Sequence, residues 1–320
     1  MIIITGGAGF IGSTWLTHLN RMGIYDILLV DNLSERKKRN IEGKKYYKLI
    51  PREELFRWLK ANAKSVSAIF HFGARTDTTE HNWDVLRRLN LEYSKQLALF
   101  CIKEKIPFIY ASSAATYGDG SLGYKDDEKL LFKLRPLNPY GWSKQLFDEW
   151  LLSQPEKPPR WYGLKFFNVY GPNEYHKGRM ASVLWHAWNQ YKREGKVKLF
   201  MSHRPDYAHG EQKRDFIYIM DAHRMIEHLW LHKAPSGIYN IATGKARSFN
   251  DLITAMFKAI DKEPVIEYIP MPEDLRNQYQ YFTEGDISKL RKSGYLEPTP
   301  PLEVSVADYV LNYLQKKSYY

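Results

Sequence analysis

Short, wholly apolar runs separated by longer stretches of helical periodicity set the pattern of this chain. Ile2-Ile3-Ile4 lies in the first run, Met1 to Thr5. Asp26 to Val30 follows, and Ser67 to Ala74 and Ile106 to Ala111 repeat the form. Runs without polar alternation read as strands buried on both faces, as in a parallel sheet covered by helices. Helical patterns occupy the intervals, one through about Arg21, one from Asn82 to about Lys105, and one bearing Tyr140 and Lys144. The alternation predicts an α/β fold built on a Rossmann-type, doubly wound parallel sheet. Beyond residue 165 the pattern becomes mixed, with an aromatic-rich helix near Ala181 to Arg193, a strand and helix around Phe216 to His232, and shorter elements to Tyr320. The expected division is a nucleotide-binding domain of residues 1–165 plus about 214–235, and a smaller interleaved substrate lobe of residues 166–213 and 236–320. No repeat or low-complexity linker separates them, which places the expected site in the cleft between the two.

Composition narrows the class. A hydrophobic content of 44% in 320 residues supplies a large core, and no apolar run approaches the roughly 20 residues of a membrane span. The apolar start runs straight into glycines, so it reads as a strand and not a signal peptide. A single cysteine, Cys101, excludes an intramolecular disulfide and fits a cytoplasmic protein. The net charge of +11 suits an anionic partner, yet the basic residues are scattered apart from Arg36-Lys37-Lys38-Arg39 and Lys44-Lys45. With no nucleic-acid module visible, a phosphorylated small molecule is the expected partner and specific nucleic-acid binding is not. His203 and His209 lack ligand spacing, so no metal site is expected.

Candidate chemistry sits at the strand ends. Gly6-Gly7-Ala8-Gly9-Phe10-Ile11-Gly12 joins the first strand to the first helix. Glycine permits the tight turn and lets a pyrophosphate approach backbone N–H groups at the positive end of the helix, so dinucleotide binding is expected here. Asp31-Asn32, closing the second strand, would bond the adenosine ribose and favour NAD, while the Arg36 to Arg39 run offers charge for a 2′-phosphate and favours NADP. Gly73 and Ala74 are small enough for close approach of a cofactor, whereas His71 reads as a packed strand residue. Asn90 is placed to brace the backbone near the active helix. Ser112 and Ser113, just past the Ile106 to Ala111 strand, stand at the ligand-binding edge, where a hydroxyl can bond a substrate oxygen. Tyr140 and Lys144 lie four apart on one helix face, and a nearby ammonium favours the phenolate and lowers the tyrosine pKa. Glycine turn, strand-end serines and Tyr-x-x-x-Lys, in that order, describe a nicotinamide site.

Four segments carry a resemblance: Thr5 to Ser13, Tyr110-Ala111-Ser112-Ser113-Ala114-Ala115-Thr116-Tyr117-Gly118, Phe166-Phe167-Asn168-Val169-Tyr170-Gly171-Pro172, and His176-Lys177-Gly178-Arg179-Met180-Ala181-Ser182. Together they resemble the extended short-chain dehydrogenase/reductase superfamily and, within it, the ADP-heptose 6-epimerase family. The similarity runs nearly end to end. It implies a cytoplasmic, homo-oligomeric isomerase of lipopolysaccharide core synthesis. Tightly held NADP, or NAD, would take a hydride from C6 of the heptose and return it on the opposite face. Such an inversion needs two acid/base groups, and the matching positions are Tyr140 and Lys177. By the same resemblance Ser113 bonds the reacting oxygen and Lys144 holds the nicotinamide ribose. Gly6, Gly9, Phe10, Ile11, Gly12, Asp31, Asn32, Lys38, Phe72, Gly73, Ala74, Asn90 and Val169 would line the cofactor. Asn168, Arg179, His186, Phe200, Arg214 and Tyr279 would meet the ADP-sugar.

The chain departs from that pattern in three places. Arg75-Thr76-Asp77 stands where small neutral residues are expected, Arg179 follows Gly178 where a small residue is expected, and the loop from Met201 to Gln212 is longer than usual. Two other enzymes of the same scaffold are weighed on single positions. A nucleotide-sugar 4-epimerase can work with one base, so Lys177 discriminates against it. A 4,6-dehydratase usually carries Asp-Glu where Ala114-Ala115 stands. A non-catalytic NAD(P)-sensing regulator typically loses the Tyr or the Lys, and both are present.

Overall fold

The computed structural model describes residues 1–276 and 279–320. Six strands appear in the first half: β1 (Ile2–Thr5), β2 (Ile27–Val30), β3 (Lys48–Ile50), β4 (Ala68–His71), β5 (Phe108–Ser113) and β6 (Trp161–Phe166). Seven follow: β7 (Asn168–Tyr170), β8 (Val197–Phe200), β9 (Lys213–Arg214), β10 (Phe216–Tyr218), β11 (Gly237–Ile241), β12 (Arg247–Ser248) and β13 (Ile266–Ile269). The central sheet is parallel with seven strands in the order β11-β6-β5-β4-β1-β2-β3. Its direction of winding reverses between β1 and β4, which opens a crevice at the carboxyl ends of those strands.

Every residue of β1, β2 and β4 is buried, which is why these strands carry no polar alternation. On one face the helix Phe10–Arg21 packs Trp15, Leu16 and Leu19 with Met225, Ile226 and Leu229 of the helix Ile219–Leu231. On the other, helices Leu55–Asn62, Tyr93–Glu104 and Pro139–Ser153 contribute Leu59, Leu97, Phe147 and Leu151. The smaller lobe is built from three two-stranded pairs, β10 with β7, β12 with β9 and β13 with β8. The sheet also corrects the expected division. Its edge strand β11 lies in the 236–320 segment expected for the small lobe, yet it is wholly buried and pairs with β6. The Phe216–Tyr218 strand pairs with β7 and not with the central sheet. β5 runs through Ser112 and Ser113, so the serines are its last residues rather than the turn after it.

The helix Pro139–Ser153 begins as its sequence directs. Pro139 occupies the first turn, where its missing N–H costs nothing, and the Asn138 side chain accepts the Gly141 N–H at 2.8 Å. Asp148, on its inward face, then ties the helix to the sheet. Its carboxylate accepts from the Tyr110 hydroxyl at 2.9 Å, the Ser112 hydroxyl at 2.6 Å and Lys165 Nζ of β6 at 2.9 Å. Both members of the Lys165–Asp148 pair are almost wholly buried. Removing one partner strands the other charge in a low-dielectric interior. Asp148→Ala is therefore expected to lower the unfolding free energy by about 3–5 kcal/mol, read from a denaturant titration.

Candidate active site

The glycine turn forms a cradle that only backbone lines. Gly6 has φ +66° and packs against Gly73, where an added Cβ would sit 2.7 Å from the Gly73 Cα. A Cβ on Gly12 would strike the Gly6 carbonyl oxygen. The helix that starts here has no acidic residue in its first turn, so its free N–H groups face an anion without competition. A cavity of about 420 Å³ opens over this cradle. Gly6, Gly9, Phe10, Ile11, Gly12, Asp31, Asn32, Phe72, Gly73 and Ala74 all line it. These residues could hold a dinucleotide.

Two of the expected cofactor residues lie elsewhere. Lys38 is more than half exposed, is paired with Glu35 at 2.5 Å, and is not in the cavity wall. Lys37 takes its place, with Nζ 2.8 Å from Asp31 Oδ1. The short helix Glu35–Lys38 turns successive side chains by about 100°, so one residue faces the cleft while the next faces solvent. Asn90 is buried out of reach of the cavity and acts as a brace. Its side chain accepts the Arg75 N–H at 2.7 Å, donates to the Arg75 carbonyl at 2.9 Å and donates to the Ser143 hydroxyl at 2.9 Å. His71 is a packed strand residue, bonded to Thr5 at 2.6 Å and Ser94 at 2.8 Å. Its burial, aided by the Lys144 charge, brings its pKa down to about 3 and keeps it neutral.

A second chamber of about 360 Å³ holds Ser113, Tyr140, Lys144, Asn168, Val169, Lys177 and Arg179. It shares a wall with the first along Phe10, Phe72, Ala74 and Lys177, so the two form one cleft. Tyr140 and Lys177, which are 37 positions apart in sequence, meet in this chamber. Burial pushes the Tyr140 phenol above its ordinary range, partly offset by its hydrogen bond with Ser113. The expected lowering by Lys144 is not seen. The Lys144 ammonium donates to the Ala111 carbonyl of β5 at 2.8 Å, and burial, opposed by Asp148, brings its own pKa down to about 8. Burial also lowers the Lys177 amine, with the Glu174 carboxylate opposing. Lys177 Nζ lies 5.3 Å from the centre of the Phe10 ring, a cation–π contact that partly offsets the loss of solvation.

The remaining expected substrate residues divide. Arg214 is stacked between Phe249 at 5.6 Å and Tyr279 at 5.2 Å, with Phe200 6.5 Å from Tyr279. This group sits in the small lobe and not in the wall of the Tyr140 chamber. His186 lies with Nε2 3.3 Å from the Arg179 carbonyl oxygen. Arg179, expected against the sugar phosphates, is bonded to Asp77 at 2.9 and 3.2 Å. Sequence reasoning missed Glu174, which is fully buried and anchors the Lys177 segment. Its carboxylate accepts from the Ser182 N–H at 2.5 Å, the Ser182 hydroxyl at 2.7 Å and the Tyr309 hydroxyl at 2.9 Å. Tyr309 is 135 residues away, and no local signal links the two.

A dinucleotide cradle that opens onto the buried Lys144 and the half-buried Tyr140 and Lys177 defines a nicotinamide-dependent enzyme of the Rossmann class. The chain belongs to the NAD dependent epimerase/dehydratase family, whose model matches residues 2–242. It is 51% identical to a Fusobacterium nucleatum protein named ADP-L-glycero-D-manno-heptose-6-epimerase, over 100% of both chains. It is 49% identical to a Nitratidesulfovibrio vulgaris protein of the same name, over 98% of both. Among solved structures, the Helicobacter pylori ADP-L-glycero-D-manno-heptose-6-epimerase matches with a TM-score of 0.81 and 29% identity, covering 97% of this chain and 95% of that one. A Bacillus cereus UDP-glucuronic acid 4-epimerase holding NAD shares the fold at a TM-score of 0.80 and 24% identity, over 99% of both chains.

The cofactor is thus a nicotinamide dinucleotide, and its cradle tolerates no side chain at position 12. Gly12→Ala is expected to yield a folded protein that retains no dinucleotide through purification, measured by the absorbance and mass of what denaturation releases.

Proposed function

We propose that this protein interconverts ADP-D-glycero-D-manno-heptose and ADP-L-glycero-D-manno-heptose by inverting C6, with NADP as the bound cofactor. The observation that carries the reading is the presence of Tyr140 and Lys177 in one chamber, each half-buried and each from a different segment. The full-length likeness to relatives of that name supports it. A bound nicotinamide supplies a hydride acceptor that becomes a hydride donor, so the reaction has no net redox.

The protein's own residues handle the protons. Inversion takes the hydroxyl proton away on one face of the carbon and restores one on the other. Burial disfavours both the phenolate of Tyr140 and the ammonium of Lys177. The pair therefore starts a turnover with one proton to give, on the phenol, and one place to take a proton, on the amine. Each turnover leaves the phenolate and the ammonium, and before the next one the amine loses its proton to water and the phenolate takes one from water. Ser113 bonds the same oxygen and keeps it beside Tyr140. Lys144, held by the Ala111 carbonyl, presents its remaining donors to the nicotinamide ribose. At the far end, Lys37, paired with Asp31, and Arg52, paired with Glu53, both line the cavity and are the cations there for a 2′-phosphate, which supports NADP over NAD.

Incubation with ADP-D-glycero-D-manno-heptose, followed by NMR of the C6 configuration, tests the reading. Conversion to a mixture of both epimers is expected. Unchanged configuration with dinucleotide still bound would leave a different sugar as substrate. Lys177→Ala is expected to abolish inversion while keeping the dinucleotide, and wild-type turnover by that variant would end the two-base mechanism. The rate should fall on the acid side as the Lys177 amine takes a proton, at a pH below the ordinary lysine range because burial lowers its pKa. The dinucleotide released on denaturation should have the mass of NADP, and NAD alone would refute the assignment of Lys37 and Arg52.

A further inference from the structure

The two unexpected sequence features around the cleft meet each other. Arg179 Nη2 donates to both carboxylate oxygens of Asp77, at 2.9 and 3.2 Å, across 102 residues of sequence. Asp77 lines the cofactor chamber and Arg179 the substrate chamber. Their bond therefore spans the cleft where the chambers join. We infer that Asp77 and Arg179 form a clasp that positions Lys177 against Tyr140 across the reacting carbon, an inference that rests on the epimerase reading.

Lys177 sits in a segment closed at both ends, because Glu174 upstream accepts the backbone N–H and hydroxyl of Ser182 downstream. Upstream, Glu174 is buried in a fixed set of hydrogen bonds, and His176 Nδ1 lies 3.0 Å from the Asn40 side chain. Downstream comes Gly178, with φ +55° and ψ −130°, and no atom within 4 Å of where its Cβ would stand. An open glycine in that conformation does not by itself fix the direction of its neighbours. Between those ends the next side chain, Arg179, adds a tie across the cleft through Asp77. Met180 adds a weaker contact, its sulfur accepting from the Thr78 hydroxyl at 3.9 Å.

The far side of the clasp leads to the other acid/base residue. Asp77 is set in its loop by the Thr79 N–H and hydroxyl at 3.0 and 2.7 Å. Two residues earlier, both backbone groups of Arg75 are bonded to Asn90, which also donates to Ser143. The Ser143 hydroxyl donates to the carbonyl of Tyr140 at 2.7 Å. A continuous path of short bonds thus joins the backbone of one base to that of the other. Slight desolvation raises the Asp77 pKa, but the Thr79 and Arg179 bonds outweigh it and hold the carboxyl at about 2. The clasp is therefore ionised throughout the working range and is not a pH switch. Because Arg179 is two-thirds exposed, the pair adds little to global stability, and its effect falls on geometry.

Asp77→Asn, Arg179→Gln and their double variant test the clasp. Each single variant should lower kcat about tenfold, since small displacements of a reacting group are costly, with KM, bound dinucleotide and Tm unchanged. The double variant should lose no more than either single one, because both cut the same link. Arg179→Lys, which keeps the charge, should recover part of the loss. A raised KM with normal kcat in Arg179→Gln would instead assign Arg179 to the sugar phosphates and overturn the clasp, as would additive losses in the double variant. Amide hydrogen exchange gives a readout independent of substrate. Exchange should quicken at residues 176–181 and 75–80 in Asp77→Asn and nowhere else, and unchanged exchange there overturns the clasp. If the wild-type protein fails to invert C6, the epimerase reading falls, and the exchange measurement still decides the clasp.

Discussion

A single buried ion pair holds the active helix in place. Lys165 on β6 and Asp148 on the helix Pro139–Ser153 are both removed from water, and each charge is tolerable only because the other is there. Asp148 completes its coordination with the hydroxyls of Tyr110 and Ser112 on β5. Lys165 also donates to Thr116, just beyond β5, at 2.5 Å. Two strands and a helix are thereby locked in register at the carboxyl edge of the sheet. Tyr140, Lys144 and Ser113 inherit their positions from this lock. Asp148 also acts on Lys144 directly, keeping its amine more basic than burial alone would.

Burial is the second common cause. It moves an acid and a base in opposite directions, raising the phenol of Tyr140 and lowering the amine of Lys177. Two residues that would be poor partners in water become a donor and an acceptor in one chamber. The same exclusion of water keeps His71 neutral beside the catalytic helix, where a cation would compete with Lys144. What the site does to its protons is thus set less by pairwise charges than by how deeply the cleft is sunk between the sheet and the small lobe.

Much of this was legible in the sequence. The glycine turn and the Tyr140–Lys144 pair are local patterns whose spacing alone decides which way the side chains point, and both line the cleft, while the serines expected just past a strand are its last residues. The role of Asn90 as a brace was also readable. Other assignments failed at the scale of one residue. Lys38 was matched to the cofactor, but the phase of a four-residue helix turns Lys37 to Asp31 instead. The effect of Lys144 on Tyr140 was inferred from spacing, which could not show that the ammonium is bonded to a β5 carbonyl.

The sequence by itself determined the alternation of strands and helices, the glycine turn and the Tyr140–Lys144 pairing on one helix, because each depends on neighbours within a few positions. Only the tertiary structure decided that β11 closes the sheet, that Asp148 finds Lys165, and that Glu174 finds Tyr309. It also joined Asp77 to Arg179, two residues that looked like separate departures from a family pattern. Contacts between distant segments carry no periodicity and no spacing rule. They exist because the fold brings those segments together, with Asp148, Glu174 and Asp77 each gathering donors from more than one of them, and that is a property of the folded chain.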